Sequence, residues 1–297
     1  MKRSADQLRE DAQAIWLAGV NAVRSDRLVS ANVRVVDGQL QIADDSLPLD
    51  QIDRIVVIGA GKAGAGMAQG LEAVLGPSLM ASKQLTGWIN VPEDCVQSLS
   101  RIHLHGARPA GKNEPTEAGV EGSRRILEMV GQLTDRDLCI CLLSGGGSAL
   151  LPSPVPGVSL ADKQAITKHL SGAGANIEQL NTVRKQLSSI KGGGLARACR
   201  AGRLVTLIIS DVLGDPLDVI ASGPTVPNTT SARDAIAVLE QFDARKAGVS
   251  EAVFTCLHKR AAESPGQVPS TVSNYVIGNN AVAVDAAGME AERRGYS

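Results

Sequence analysis

The feature that most constrains this chain is an apolar run that ends, again and again, in a glycine- or serine-rich loop and then a helix. Residues 54–58 lead into Gly59-Ala60-Gly61-Lys62-Ala63-Gly64-Ala65-Gly66, and a helical stretch follows to Leu75. Residues 138–143 form a second run, which ends in Ser144-Gly145-Gly146-Gly147-Ser148. Residues 204–209 form a third, ending in Ser210-Asp211. Short continuous apolar runs bounded by turn residues read as strands covered on both faces, the kind parallel sheets use. Weaker strands are read at 87–91, 101–105 and 275–277. Strands alternating with helices predict an α/β fold, a doubly wound, mostly parallel sheet with helices on both faces. Ligands of such sheets bind beyond the carboxyl ends of the strands, where these loops fall.

The flanking segments fill in the outline. Ser4 with Gln7 has capping-box spacing, and Leu8, Ala12, Ile15, Trp16 and Val20 follow at helical intervals. Residues 32–42 alternate about Asp37-Gly38, a small hairpin. Further helices are expected at 159–170, 176–190, 231–242, 251–263 and 281–294, and one opened by Pro115 in its first turn. The polar stretch 263–270 holds two prolines and is the candidate crossing between domains. The expected division is 1–262 as the main domain and 263–297 as a linker, strand and helix leading on to another.

Composition narrows the function. Thirty Lys plus Arg against 31 Asp plus Glu leave a net charge of −1, so no basic excess draws the chain to nucleic acid or membrane surfaces. No apolar run approaches the roughly 18 residues of a membrane span, and the N-terminus lacks the apolar core of a signal peptide. Five scattered cysteines without zinc-ligand spacing read as reduced thiols in a cytoplasmic protein. Aromatics are only 2%, so the core must be built from aliphatic side chains.

The loops carry the chemistry. Gly59-x-Gly61-x-x-Gly64 after a strand matches a dinucleotide-binding pattern, yet no acid is read at the end of the second strand. Lys62 with helix N-terminal amides makes an anion site, while tight strand–helix packing is the alternative use of these glycines. Ser144, Gly145, Gly146, Gly147 and Ser148 form a second candidate cradle, with a flexible connector as the alternative. Arg184 and Lys191 lie seven apart, which on a helix puts two cations on one face, suited to phosphate or carboxylate. Asp211 and Asp215 share a loop and can hold a hydrated magnesium ion, or serve turn chemistry. His103 and His105 alternate on one strand face, with His105 at the strand end, a candidate to bind or polarise substrate. Two anion cradles, a lysine and paired carboxylates suit phosphoryl transfer.

Four segments then resemble the class II glycerate 2-kinase family. They are Gly59-Ala60-Gly61-Lys62-Ala63, Leu143 through Leu150, Asn181-Thr182-Val183-Arg184-Lys185 with Ser189-Ile190-Lys191-Gly192-Gly193, and Ser210-Asp211-Val212 through Ala221-Ser222-Gly223-Pro224-Thr225. The resemblance implies a Rossmann-like N-terminal domain followed by a smaller MOFRL-type domain, and ATP- and Mg2+-dependent phosphorylation of D-glycerate to 2-phosphoglycerate. It implies Lys62 as a catalytic lysine and the 144–148 loop as a cradle for substrate or phosphate. Asp211 and Asp215 would hold magnesium or orient the attacking hydroxyl, and Arg184 and Lys191 would pair with substrate anions. Two departures stand out. The chain reads His105-Gly106-Ala107-Arg108-Pro109 where the family has His-Pro, and it contains no Gly-Gly-Arg-Asn-Gln segment. The chain is therefore expected to be the N-terminal part of a two-domain kinase, impaired alone and completed by a separate C-terminal domain or a homo-oligomer. Other readings are an NAD(P)H-dependent hydroxypyruvate reductase and a non-catalytic nucleotide- or glycerate-binding fragment.

Overall fold

The computed structural model describes residues 3–263, 266–269 and 271–296. Much of the 263–270 crossing, at 264, 265 and 270, and the final Ser297 lie outside the described residues. The chain opens with α1 (Ala5–Ala22), capped by Ser4 and Gln7 as the spacing predicts, and α2 (Ser25–Asn32). β1 (Val33–Val36), β2 (Gln39–Ile42) and β3 (Asp45–Pro48) follow, so the predicted hairpin gains a third antiparallel strand. The main sheet begins with β4 (Ile55–Ala60), α3 (Gly64–Ser82), β5 (Thr86–Pro92), β6 (Ile102–Arg108), α4 (Glu117–Gly131) and β7 (Leu138–Ser144). It continues through α5 (Gly147–Leu150), α6 (Leu160–Gly172), α7 (Ile177–Gln186), α8 (Gly194–Ala198) and β8 (Arg203–Ile209). It ends with α9 (Ala232–Gln241), α10 (Glu251–Ala261), β9 (Val272–Gly278) and α11 (Asn280–Arg293).

The sheet order is β6-β5-β4-β7-β8-β9, and every pairing is parallel. The chain moves outward from β4 to β6, then returns across the sheet to β7. The strand order therefore reverses between β4 and β7, and a crevice opens there beyond their carboxyl ends. Alternation along each strand divides the core. Ile55, Val57, Ile140, Leu142, Val205 and Leu207 pack with Met67 and Leu71 of α3 on one face. Val56, Ile58, Cys139, Cys141 and Leu143 pack with Ile126 and Val130 of α4 on the other. Both strand cysteines are buried on this second face as reduced thiols.

Local differences from the sequence reading have local causes. The helical stretch ends at Leu75 as expected, because Gly76 takes a left-handed φ of 69° ahead of Pro77 and the helix resumes kinked. α7 stops at Gln186 instead of continuing to 190, since Ser188 pairs with Pro154 and Gly192 and Gly193 turn at φ 55° and 78°. Pro115 precedes the cap Thr116 of α4 and is not in its first turn. β9 extends over seven residues and joins β8, while α11 packs on α1. Gly19 permits that approach, because a Cβ there would lie 2.8 Å from the carbonyl oxygen of Ala283. Residues 272–293 thus complete the sheet layer. No described helix is long and apolar enough to cross a membrane.

A separate helical cluster, unread in the sequence, is built from α6, α7, α9 and α10 around Leu170, Val183, Leu239, Phe254 and Leu257. Phe254 is 1% exposed, with Arg245 stacked 3.8 Å over its ring. Phe254→Ala should leave a cavity there and lower stability by about 3–5 kcal/mol, read by urea unfolding.

Candidate functional site

The loops after β4 and β7 interlock, and glycine makes this possible. A Cβ on Gly59 would sit 2.1 Å from the carbonyl oxygen of Leu142, and one on Gly61 would sit 2.0 Å from Ser144 Oγ. The Gly61 amide donates to Asn90 O (3.1 Å), Lys62 to Gly145 O (3.0 Å) and Ala63 to Ser144 Oγ (3.0 Å), while Gly64 donates to Gly61 O (3.2 Å). Every amide that an anion would need on the first loop is already engaged. The expectation that Gly59 and Gly61 cradle phosphate is therefore corrected: they are packing glycines. The acid missing from the dinucleotide pattern also needs revision. Glu93 and Asp94 directly follow β5, where such an acid would stand, so it is the engaged amides that argue against a bound pyrophosphate.

The second loop is open. No described residue accepts a hydrogen bond from the amides of Gly145, Gly146 or Gly147. Around it stand the charged groups. The position of a Gly146 Cβ is 3.4 Å from Lys62 Cε and 3.3 Å from an Arg108 guanidinium nitrogen, and that of a Gly145 Cβ is 2.2 Å from an Asp211 carboxylate oxygen. Arg108 is a residue the sequence reading passed over. It ends β6 and is 3% exposed, yet its Nε has no partner, and it forms no ion pair with a described residue. A cation buried without a partner is costly unless an anion completes it. The signal was present as an arginine at the end of a strand, but only the sheet order brings that end beside the 144–148 loop.

A cleft of about 950 Å³ runs from this loop past Lys163, Arg184, Lys191 and Asp211. Ser148 is its hub. Its Oγ accepts from Arg184 (2.6 Å) and from Lys191 Nζ (2.7 Å), which leaves its hydrogen for Ser222 Oγ at 2.8 Å. Arg184 and Lys191 do converge, although not on one helix face: Arg184 lies on α7 and Lys191 beyond its end. Ala221 and Ser222 are held at φ 50° and 63°, a conformation that side chains resist and that the surrounding bonds impose. Burial, with Arg184 and Lys163 nearby, holds the Lys191 ammonium well below its ordinary proton affinity. Burial, then Arg184 and Arg260, pushes Lys163 down to about 7.

Two expected site residues lie elsewhere. His105 sits within β6, where its Nε2 is 2.8 Å from Ala118 O and its ring lies 5.0 Å from Trp88, so it packs the sheet edge and does not line the cleft. Asp215 accepts from Asn279 Nδ2 (2.6 Å) and does not line the cleft with Asp211. Among the described residues no three His, Cys, Asp or Glu side chains come together as a metal site. The donor set still fits magnesium, which needs one or two carboxylates when substrate phosphates supply the other oxygens. Asp211 brings a carboxylate to the cleft wall beside Gly145.

Lys163 gives a pH prediction. The unfolded chain keeps this lysine protonated up to about 10.5, whereas the folded chain releases the proton near 7. Between these values the unfolded state holds more protons, so the fold gains stability as pH rises from 7 toward 10. Below 7 the full penalty remains. Lys163→Met should remove this slope, up to about 1.4 kcal/mol per pH unit, in urea unfolding at pH 7 and pH 9.

Residues 11–258 match the family described as a domain of unknown function, DUF4147. The chain is 36% identical to rat glycerate kinase over 305 residues, covering 97% of this chain and 56% of the rat protein. It is 38% identical to the D-glycerate 2-kinase of Thermotoga maritima over 255 residues, 85% of this chain and 57% of that one. The solved glycerate kinase structure from T. maritima superposes with a TM-score of 0.80 at 35% identity, covering 98% of this chain and 64% of that one. The chain thus spans little more than half the length of these curated relatives. With a six-stranded parallel sheet, the interlocked loops and a match over most of its length, the chain belongs to the DUF4147 family.

Proposed function

We propose that this chain carries the substrate-binding half of a glycerate kinase, transferring the terminal phosphoryl group of ATP to the 2-hydroxyl of D-glycerate. The observation that carries the reading is the convergence of four cations without an ion-pair partner among the described residues, Lys62, Arg108, Arg184 and Lys191, on a glycine loop whose amides no described residue engages. Phosphoryl transfer asks for positioning and charge neutralisation at three equatorial oxygens, and these groups supply both.

The residues divide the work by position. Arg184 and Lys191, fixed through Ser148, hold the glycerate carboxylate. The open amides of Gly145, Gly146 and Gly147 receive phosphoryl oxygens. Lys62 and Arg108, on the far side of Gly146, neutralise the charge that grows as the bond to the leaving ADP lengthens. The glycerate hydroxyl oxygen forms the new bond to phosphorus as its O–H bond breaks and the proton passes to solvent water, while the bond from phosphorus to ADP breaks and ADP leaves with that electron pair. Asp211, against Gly145, is placed to hold magnesium, which when bound neutralises phosphate charge. Asp215 takes no part in this arrangement, because Asn279 holds it. The reductase reading is weakened by the engaged amides of the 59–64 loop, even with Glu93 in place after β5.

The test is ADP release by the 297-residue chain with ATP, magnesium and D-glycerate. Lys62→Ala should lower kcat by about 10²–10³-fold. Turnover that appears only when the C-terminal region of a relative is supplied marks a site divided between two parts. Glycerate-independent ADP release, or a Lys62→Ala variant as active as the parent, defeats the assignment. Hydroxypyruvate-dependent oxidation of NADPH would replace it with the reductase reading.

A further inference from the structure

A second cleft, of about 780 Å³, opens on the opposite side of Lys191. Its walls come from the end of α7, the turn into α8, the start of α9 and the end of α10. Lys191, Arg197, Arg233 and Arg260 all line it, and none forms an ion pair with a described residue. Lys185 also lines it but is engaged by Asp218 at 3.0 Å. Glu263 is the single carboxylate on the described wall and pairs with none of these cations.

Two of these cations, Arg197 and Arg260, press on one another. Arg197 is half-buried, with one guanidinium nitrogen donating to Gly192 O at 3.0 Å. Burial and then the charge of Arg260 lower its proton affinity. Arg260 keeps a buried Nε without a partner. A folded protein does not hold repelling cations around a cavity of this size without cost, and an anion that enters relieves it. Asn228, Thr230 and Ser231 add neutral polar groups to the same wall. No aromatic side chain lines the cleft, so nothing is built to stack a base, and recognition rests on charge. Four cations against one carboxylate exceed the needs of a monoanion and match an elongated, multiply charged one.

The geometry points to a second anion site in this cleft, for a linear polyphosphate chain held by Arg197 and Arg260 with Arg233 and Lys191 at its flanks. It is distinct from the glycine-loop cleft, and Lys191 forms the partition between the two. Two sources share this chemistry, a free polyphosphate and the tail of a nucleoside triphosphate.

The site is tested by isothermal titration of the 297-residue chain with sodium tripolyphosphate, inorganic phosphate and ATP. Tripolyphosphate should bind at least tenfold more tightly than phosphate. Arg197→Gln and Arg260→Gln should each weaken it tenfold or more, Arg260→Lys should weaken it less, and Lys62→Ala should leave it unchanged. Unfolding midpoints of the variants separate a lost site from a lost fold. If ATP displaces tripolyphosphate with the same arginine dependence, the cleft takes the nucleotide tail; if it does not, the cleft takes the free chain. Binding that survives both arginine-to-glutamine changes, or that is lost in Lys62→Ala, overturns the site. None of these readouts requires turnover, so a failed kinase assay and a failed anion site stay distinguishable.

Discussion

The interlock of two neighbouring strand ends sets the rest of the site. β4 and β7 run side by side, and the loops leaving them must share one small volume. They do so because Gly59 and Gly61 carry no Cβ where Leu142 O and Ser144 Oγ stand, and because Ser144 Oγ then accepts the Ala63 amide. The contact has a chemical consequence. It uses the first loop's amides internally and leaves the second loop's amides facing the cleft. A pattern that elsewhere cradles a pyrophosphate becomes a buttress here, and its one polar side chain, Lys62, is delivered over Gly146. The anion site therefore belongs to the second loop, with the first holding it in place.

Electrostatics gives the same region its character. The chain as a whole is nearly neutral, yet beyond burial the charges of Arg184 and Arg260 lower the proton affinity of Lys163, those of Arg184 and Lys163 that of Lys191, and that of Arg260 that of Arg197. Their oxygen partners are neutral: Leu187 O for Lys163, Ser148 for Arg184 and Lys191, and Gly192 O for Arg197. Neutral acceptors satisfy hydrogen bonds without cancelling charge, so the positive potential stays available to a ligand. Replacing the Ser148 hydroxyl by a carboxylate would neutralise the cations bound to it and blunt their hold on anions. The protein keeps strain where binding can release it, which also accounts for the left-handed Ala221 and Ser222 beside the Ser148 hub.

The sheet was legible because its strands are buried on both faces, and short continuous apolar runs such as 138–143, bounded by turn residues, mark strands of that kind. α2 and β3 were not, because eight residues with two buried side chains, or four with none, leave no period to count. The helical cluster around Phe254 was hidden for another reason. Each of its helices was read, α7 four residues too long, but their mutual packing spans segments on either side of β8. Of the site, Lys62, Asp211, Arg184, Lys191 and the 144–148 loop lie together, since loops at strand ends converge whenever the sheet is parallel. The helix-face argument for Arg184 and Lys191 failed although the pair meets, because the chain leaves α7 at Gln186 and the turn bonded to Ser222 and Gly223 returns Lys191 to Ser148. His105 and Asp215 were misplaced for want of partners visible only in three dimensions, Ala118 O and Asn279.

Lys191 joins these strands of argument. It is 3% exposed and lines both clefts, with Nζ bound to Ser148 on the glycine-loop side. Desolvation favours its neutral form, and an anion on either side favours the charged one. An anion in one cleft therefore raises the proton affinity of a group that the other cleft also feels. Because Ser148 takes its hydrogen bonds from both Lys191 and Arg184, a protonated Lys191 fixes the hub as a pure acceptor on that side, and the Ser148 hydrogen remains committed to Ser222. Lys191 is thus a side chain shared by the walls of both clefts, and its burial is what makes its proton affinity respond to charge on either side.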